Sequence, residues 1–347
     1  MARLRRADCS GPGIRRRRRG KGFEYLDEDG KRVAELSVLE RIRELAIPPA
    51  WEEVWICPYP MGHLQATGTD AAGRKQYRYH DRWRERRDQE KFEEMLDFAR
   101  ALPKLRKRVQ KDLAREGMPR ERALACAVRL MDRGFFRIGS ENYAEENETY
   151  GVATIRRDHV AVTGDQVSFE YDAKGGQERE LSFPDPRLAE VVRQLLRRRG
   201  GGEELLAYKE GRRWVDLKSP DINAYVKQIT GGDFSAKDFR TWNGTVLAAK
   251  ALAMSAEAAT GSKTARKRAK NHAVKEVAGH LGNTPAVARS SYIDPRVFDR
   301  YDRHHTIAGA VEAFADDGAP ELEQAVLDLL EGDLSSDAIE KGGLGVD

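Results

Sequence analysis

The sequence predicts an α+β protein, in which a small N-terminal antiparallel β-sheet domain precedes a larger, mainly α-helical domain that carries a three-stranded β insertion. Three observations predict this fold class. Short alternating runs separated by turn residues extend to about residue 80, long stretches with helical spacing begin at Asp81, and alternating runs return between residues 159 and 183. A chain of 347 residues, 40% of them hydrophobic, can bury a substantial core and fits about two domains.

The N-terminal part divides into an arm and a sheet domain. Residues 1–22 are predicted to be a disordered basic arm, because Arg15–Arg19 repel one another and little apolar surface is available for burial. Residues 23–90 form the predicted sheet domain. Its predicted elements are a hairpin around Asp29-Gly30, a helix that starts at a capping box of Ser37 and Glu40, and strands at residues 54–57, 64–67 and 76–79.

The strand at residues 76–79 has two chemically different faces. Alternation places Gln76 and Arg78 on one face and Tyr77 and Tyr79 on the other. Two interpretations remain open: the tyrosines are buried in a core, or one face packs while the other meets a phosphate backbone.

Residues 91–347 form the predicted helical domain, with an acidic tail from about residue 316. Residues 308–330 are predicted to form one or two terminal helices. Apolar residues at helical spacing predict helices at residues 92–99, 105–113 and 124–131, and Pro103 interrupts the first two. Capping residues predict two further helices: Ser235 begins one that contains Arg240, and Thr284 with Pro285 begins another that ends near Tyr292.

Within the helical domain, residues 159–163, 167–171 and 180–183 read as a three-stranded meander. The second turn, at residues 172–176, places Lys174 at the tip of a hairpin. Its ammonium can swing onto a bound strand there, although a solvated turn lysine fits the same pattern.

Two arginines lie in positions where a guanidinium needs an anionic partner, and two further polar side chains can face a common site. Arg137 lies between the apolar residues Phe136 and Ile138, and a partly buried guanidinium needs a carboxylate or a phosphate. Arg240 falls near a helix N-terminus, where a cation is mildly unfavourable without an anion. The side chains of His280 and Asn283 lie one helical turn apart and can face one site.

Charge patterning indicates a polyanionic partner. The net charge of +4 conceals a strongly acidic end, so the rest of the chain is more basic than the whole. Basic clusters lie at residues 15–19, 82–87, 104–111 and 263–270, and interleaved aromatic residues favour nucleic acid over other polyanions.

Other classes of protein are disfavoured. No stretch approaches the roughly 18 apolar residues of a membrane span, and no secretory signal follows the N-terminal charges. Cys9, Cys57 and Cys126 are scattered and odd in number, which argues against disulfides or a zinc site and fits a reducing cytoplasm.

Arginines, a lysine and a tyrosine together suit covalent phosphoryl transfer. A phenol with an ordinary pKa near 10 is a weak nucleophile, so it needs cations that stabilise its anion and the phosphate that it attacks. Guanidiniums can bind the nonbridging oxygens, and a lysine can protonate the leaving oxygen. This chemistry requires no metal and no cofactor.

Several motifs, in order, resemble those of the type IB DNA topoisomerases, in the small poxvirus-type branch as found in bacteria. The resemblance extends from about Ile47 to Pro295. It rests on residues 62–68 (GHLQATG) with 73–80 (GRKQYRYH), 136–139 (FRIG) with 147–151 (NETYG), 237–242 (KDFRTW), and 279–285 (GHLGNTP) with 290–295 (SSYIDP). Lys174 falls on the hairpin lysine of the family.

The resemblance implies roles for particular residues. Tyr292 is the nucleophile, Arg137 and Arg240 stabilise transition-state charge, Lys174 is the general acid, and Asn283 donates a hydrogen bond to phosphate. The implied DNA contacts are Arg74, Lys75, Gln76, Tyr77, Tyr79, Tyr143, Lys237 and His280. Residues 23–90 become a DNA-clamp domain, and residues 91–347 the catalytic domain.

The implied activity is relaxation of supercoiled duplex DNA through a 3′-phosphotyrosyl intermediate, without ATP or metal. The expected protein is a cytoplasmic, nucleoid-associated monomer that prefers supercoiled DNA. Asn283 departs from the histidine of the poxvirus enzymes, because an amide can donate to phosphate but cannot ionise. His280, nearby, is a candidate to compensate.

Two alternatives remain. A tyrosine recombinase shares the catalytic set but usually places histidine three residues before the second arginine, where this chain has Lys237. A non-catalytic DNA-binding protein would explain the basic body without any chemistry.

Overall fold

The computed structural model describes residues 3–134, 136–139, 149–173, 176–256, 258, 261–314, 320–333 and 339–341. The chain forms two compact units, Met1–Glu93 and Glu94–Asp347. The sequence places the corresponding division after residue 90. None of the helices among the described residues has both the length and the apolar character that a bilayer-spanning segment needs.

The first unit contains a five-stranded antiparallel sheet and a short helix. The strands are β1 (Ile14–Arg19), β2 (Gly22–Leu26), β3 (Glu52–Ile56), β4 (Leu64–Thr69) and β5 (Lys75–Tyr79), in the order β2-β1-β3-β4-β5. Helix α1 spans Leu36–Glu44. Its buried Ile42 packs with Ile14, Val54, Ile56 and Ala66 to form the core of this unit.

The prediction of a disordered arm over residues 1–22 is wrong for the segment that forms β1. Arg15–Arg19 pair with β2 along the full length of that strand, and the pairing provides partners for the arginines. Arg17 donates to the Glu24 carboxylate, and Arg16 donates to the Pro48 and Trp51 carbonyl oxygens. Because these acceptors offset the repulsion, five consecutive arginines can form a strand.

Two other local predictions in this unit need correction. Strand β2 pairs with β1, and the predicted second strand of the hairpin, at residues 31–33, is reduced to an isolated bridge between Leu26 and Arg32 with flanking backbone hydrogen bonds from Asp27 to Lys31 and from Val33 to Tyr25. Ser37 does not cap α1, because the helix starts after Glu35 and the Ser37 hydroxyl donates to the Glu35 carboxylate at 2.6 Å.

The second unit is mainly helical. Its first helices are α2 (Asp81–Leu113), which begins in the first unit, α3 (Arg120–Gly134), α4 (Pro186–Leu196) and α5 (Ser219–Thr230). The next are α6 (Ala236–Ala253), α7 (Lys263–Leu281), α8 (Pro285–Ser291), α9 (Pro295–Asp302), α10 (Ala308–Ala313) and α11 (Pro320–Glu331).

Among the described residues, three small antiparallel sheets accompany these helices. Strands β6 (Val160–Thr163), β7 (Gln166–Ala173) and β8 (Gln177–Pro184) form the predicted three-stranded insertion, so the predicted α+β fold class is confirmed. Strands β9 (Ala207–Glu210) and β10 (Arg213–Asp216) form a hairpin, and β11 (His305–Thr306) pairs with β12 (Glu340–Lys341).

One prediction for the helical part is wrong in detail. Helix α2 runs through Pro103 without a break, because the apolar side of the helix, including Leu102 and Leu105, remains fully buried on both sides of the proline. The predicted terminal helices between residues 308 and 330 are confirmed by α10 and α11. Helix α11 is packed: Glu323 is 8% exposed and accepts hydrogen bonds from Arg106, which also binds Asp132.

Candidate active site

Tyr292 lies at the C-terminal end of α8. Thr284 caps the start of this helix through its hydroxyl, which accepts from the Val287 amide at 3.3 Å, and Pro285 occupies the first turn, so the predicted helix start is confirmed. The Tyr292 amide closes the helix on the Ala288 carbonyl at 3.0 Å. The ring is half-buried.

Helix α6 holds the backbone of Tyr292 at close range. A Cβ on Gly244 would lie 2.8 Å from the Tyr292 carbonyl oxygen, so only glycine permits this approach. The next residue, Thr245, has its hydroxyl 3.4 Å from the same oxygen and accepts from the Asp294 amide at 3.1 Å. Two neighbouring residues of α6 therefore position the backbone of the tyrosine.

Arg240 of α6 lies beside the tyrosine ring. Ser235 caps this helix as predicted, and Arg240 is only 4% exposed. Its guanidinium carbon lies 5.0 Å from the centroid of the Tyr292 ring, and Nη2 donates to the Leu281 carbonyl at 2.8 Å. Burial lowers the pKa of Arg240 to about 10, although the neighbouring Tyr292 opposes this change.

Arg137 comes from a loop that two glycines pack tightly. Gly139 has a φ of +79°, and a Cβ on Gly151 would lie 2.4 Å from the Gly139 amide nitrogen. The Val152 amide donates to the Arg137 carbonyl at 2.8 Å. Phe136, 1% exposed, packs edge-on against Phe169 of β7, which fixes the adjacent arginine next to the three-stranded sheet.

Asn283 follows the left-handed Gly282 that ends α7. Arg137 donates to the Gly282 carbonyl at 3.1 Å and to the Asn283 side-chain oxygen. Within the described part of the chain, the buried Nδ2 of Asn283 has no hydrogen-bond partner. The side-chain oxygen of Asn283 thus accepts from an arginine, and its nitrogen can donate to another group.

The structure brings Arg137, Arg240, Asn283 and Tyr292 together around the C-terminal end of α7. His280, on the last turn of this helix, is exposed, and its Nδ1 lies 3.0 Å from the Glu276 carbonyl oxygen. His280 lines a cavity of about 250 Å³, and the described walls of this cavity do not include Arg137, Arg240, Asn283 or Tyr292. Lys174 and Tyr143 lie outside the described residues.

The residues predicted to contact DNA in the first unit lie on β5 and the turn before it. Tyr77 and Tyr79 are 45% and 38% exposed, and their rings stack at 6.1 Å, so the interpretation of buried tyrosines is wrong. Asp70 accepts hydrogen bonds from Arg74 and Gln76, and Lys75 is exposed, 6.0 Å from the Tyr77 ring. In the second unit, Lys237 is exposed in the first turn of α6.

Sequence reasoning missed Arg179, on β8. Its two terminal nitrogens donate to the Gly279 and His280 carbonyls at 2.8 and 2.6 Å. These contacts join residues about 100 positions apart in the chain, so no local spacing indicated them. The one available signal was the position of Arg179 on the same hairpin as Lys174.

Comparison with known proteins identifies the class of protein first. The family model for the catalytic core of eukaryotic DNA topoisomerase I matches residues 80–312, which is more than half of the chain. The chain therefore belongs to the DNA topoisomerase I family. A second model, for the N-terminal domain of bacterial DNA topoisomerase IB, matches residues 22–70 and identifies the enzyme as a type IB DNA topoisomerase with a bacterial N-terminal domain.

Individual relatives agree with this assignment. DNA topoisomerase 1B of Acanthamoeba polyphaga mimivirus is 29% identical over 299 residues, which cover 84% of this chain and 88% of the relative. DNA topoisomerase 1B of vaccinia virus (strain Copenhagen) is 23% identical over 124 residues, 36% of this chain and 38% of the relative. DNA topoisomerase 1 of Mycosarcoma maydis is 26% identical over 176 residues, 46% of this chain and 17% of the relative.

Proposed function

We propose that this type IB topoisomerase relaxes supercoiled duplex DNA by reversible cleavage of one strand through a 3′-phosphotyrosyl intermediate, without ATP or metal. The observation that carries the proposal is the half-buried Tyr292 ring 5.0 Å from the guanidinium of Arg240, with Arg137 and Asn283 at the same helix end. A phenol, two guanidiniums and a free amide donor are the groups that phosphoryl transfer needs.

In the proposed cleavage step, the Tyr292 oxygen attacks a backbone phosphorus and the bond from phosphorus to the 5′ oxygen breaks. The phenol loses its proton, and the leaving 5′ oxygen gains one from Lys174. Religation is the same reaction in reverse. Because the phosphodiester is exchanged for a phosphate ester of similar energy, the cycle needs no external energy source.

Arg137, Arg240 and Asn283 are proposed to bind the nonbridging oxygens. Each guanidinium has five donors, and both arginines reach the same helix end, where Arg137 donates to Gly282 and Asn283 and Arg240 donates to Leu281. By analogy with oxyanion donors, each contributes about 3 kcal/mol to the transition state. The unpartnered Nδ2 of Asn283 supports a role for this amide as a donor to phosphate.

We propose DNA contacts in both units: Arg74, Lys75, Gln76, Tyr77 and Tyr79 in the first, and Tyr143, Lys237 and His280 in the second. The exposed, stacked pair of tyrosines on β5 supports this assignment for the first unit. The proposed enzyme is a cytoplasmic, nucleoid-associated monomer that acts preferentially on supercoiled DNA.

Relaxation of a supercoiled plasmid in EDTA, without ATP, tests the proposal. We expect relaxation by the wild-type protein and none by Tyr292→Phe, because the phenylalanine lacks the attacking oxygen. Tyr208→Phe, the same substitution on strand β9, should retain wild-type activity. An inert wild-type protein would refute the proposal, and relaxation by Tyr292→Phe would remove this residue from its role.

A further inference from the structure

Three arginines from separate segments converge on the C-terminal turn of α7. Arg179 donates to the Gly279 and His280 carbonyls, Arg240 to that of Leu281, and Arg137 to that of Gly282. Four consecutive carbonyls, at residues 279–282, therefore each accept from a guanidinium. Carbonyls at a helix C-terminus lack intrahelical partners and carry partial negative charge, so they attract cations.

Arg179 differs from the other two arginines because two of its nitrogens bind the turn. Both of its terminal nitrogens donate to carbonyls of this turn, at 2.8 and 2.6 Å, so the guanidinium straddles two adjacent peptide groups. It also lies close to Gly282, where an added Cβ would be 3.2 Å from Nη1. The side chain thus connects strand β8 to the helix end that Arg137 and Arg240 share.

Tyr171 lies beside Arg179 on the neighbouring strand. The two residues are directly opposite each other on β7 and β8, which places their side chains on the same face of the sheet. Tyr171 is 6% exposed, and its ring stacks on Phe136 with centroids 5.7 Å apart. Burial raises the pKa of the Tyr171 hydroxyl, and the nearby arginines, Arg179 among them, oppose that rise. A buried aromatic ring therefore packs beside Arg179 and against the segment that carries Arg137.

We propose that Arg179, packed beside Tyr171, is a positioning residue that fixes the C-terminal turn of α7 and through it the arrangement of Arg137 and Arg240 for cleavage. This inference rests on the proposed function. Because the guanidinium is committed to the turn, its loss disturbs the geometry of the two catalytic arginines more than the affinity for DNA. Small misplacements of this kind cost about 100-fold in rate.

The first test separates the rate of cleavage from DNA affinity. With saturating enzyme and a duplex that traps the covalent adduct, Arg179→Ala should form adduct about 100-fold more slowly, and the Kd for the DNA should change by less than about 3-fold. Arg179→Lys, which can serve one of the two carbonyls, should recover about 10-fold of that loss. A wild-type rate in Arg179→Ala, or a loss explained entirely by Kd, would overturn the proposal.

A matched control is available on the same sheet. Arg193 of α4 donates to the Gly164 carbonyl in the turn between β6 and β7, so Arg193→Ala removes a contact of the same type that does not involve α7. The adduct rate of Arg193→Ala should stay within about 3-fold of wild type, since the contact with Gly164 does not involve the C-terminal turn of α7. An equal loss in both variants would mean a general effect on the sheet, contrary to the proposal.

The second test does not depend on catalysis. The Gly282 and Asn283 amides close the helix end on the Gly279 and Ala278 carbonyls at 3.2 and 3.0 Å. Arg179→Ala should raise the hydrogen-exchange rates of these amides about 10-fold, while amides of α11 remain unchanged. Unchanged exchange would overturn the inference even in an active enzyme. If the wild-type protein forms no adduct, the proposed function fails, and the exchange measurement still decides the role of Arg179.

Discussion

Arg240 is the most deeply buried cation among the described residues of the predicted site. It is 4% exposed, and burial lowers its pKa to about 10, against the opposing effect of Tyr292. At pH 7 the guanidinium is still charged, so its burial costs stability, and this cost is relieved as pH rises through 10. This buried guanidinium lies 5.0 Å from the centroid of the Tyr292 ring.

The lowered pKa predicts an alkaline limit to cleavage. Adduct formation should fall as pH rises through about 10, because the guanidinium then loses the charge that stabilises the phosphate. In Arg240→Lys the limit should move to lower pH, since lysine has a lower ordinary pKa, about 10.4, and the same burial lowers it further. The measurement is the single-turnover adduct rate between pH 7 and 10.5. The same alkaline limit in both proteins would contradict this role.

Asn283 makes two separable contributions, and substitutions can distinguish them. Asn283→Ala removes both the acceptor for Arg137 and the free donor, and should lower the adduct rate by about 100-fold. Asn283→Asp retains an acceptor but replaces the donor with a negative charge, so it should be slower than the alanine variant. If the residue only holds Arg137, the aspartate variant will instead remain close to wild type in the same assay.

The residue types of the site were predictable, and their partners were not. The sequence indicates that Arg137 needs an anion because it lies between two apolar residues, and that Arg240 needs one because it lies near a helix start. In the free protein, the described partners of Arg137 and Arg240 include backbone carbonyls at the end of α7, more than 40 residues away in the chain. Local spacing carries no information about such contacts, and for this reason Arg179 was missed.

At the scale of elements, the capped helices were predictable and the uncapped ones were less so. Ser235 and Thr284 each begin a helix as expected, because a hydroxyl satisfies an amide that has no helical partner. Helix α1 starts without a side-chain cap, and α2 continues through Pro103. In both cases buried apolar packing outweighs the local cost in stability. That cost is about 1 kcal/mol for a missing cap and about 3 kcal/mol for a proline inside a helix.

The loop that presents Arg137 depends on the close contact of two glycines. Gly151→Ala would place a methyl group 2.4 Å from the Gly139 amide nitrogen and 2.7 Å from the Arg137 carbonyl oxygen, so the loop must shift. We expect the adduct rate to fall about 100-fold and the free energy of unfolding to fall by about 1–3 kcal/mol. Single-turnover kinetics and urea unfolding measure the two effects.

Gly22→Ala serves as the control for this substitution. Gly22 lies in strand β2, and a Cβ there would meet nothing within 4 Å. Its adduct rate should equal that of the wild type. A Gly151→Ala protein with wild-type kinetics would show that the position of Arg137 does not depend on this contact.

At the scale of the whole molecule, the fold class followed from the change in periodicity near Asp81, but the connections between distant segments did not. The run of arginines in β1 predicts a disordered arm because these side chains repel one another, and the acceptors that offset the repulsion belong to other segments, including Glu24 on the next strand. Similarly, α11 belongs to the packed body because Glu323 pairs with Arg106, 217 positions earlier. Charge runs alone cannot distinguish a solvated tail from a paired surface.

The central claim is that Tyr292 becomes covalently attached to the 3′ end of a cleaved strand. Trypsin should release residues 290–296 (SSYIDPR), because it cleaves after Arg289 and after Arg296. Mass spectrometry of the trapped adduct should find the 3′-phosphorylated strand on Tyr292 of this peptide, with a free 5′-hydroxyl on the other strand end. Attachment to another residue, or to the 5′ phosphate, would contradict the account.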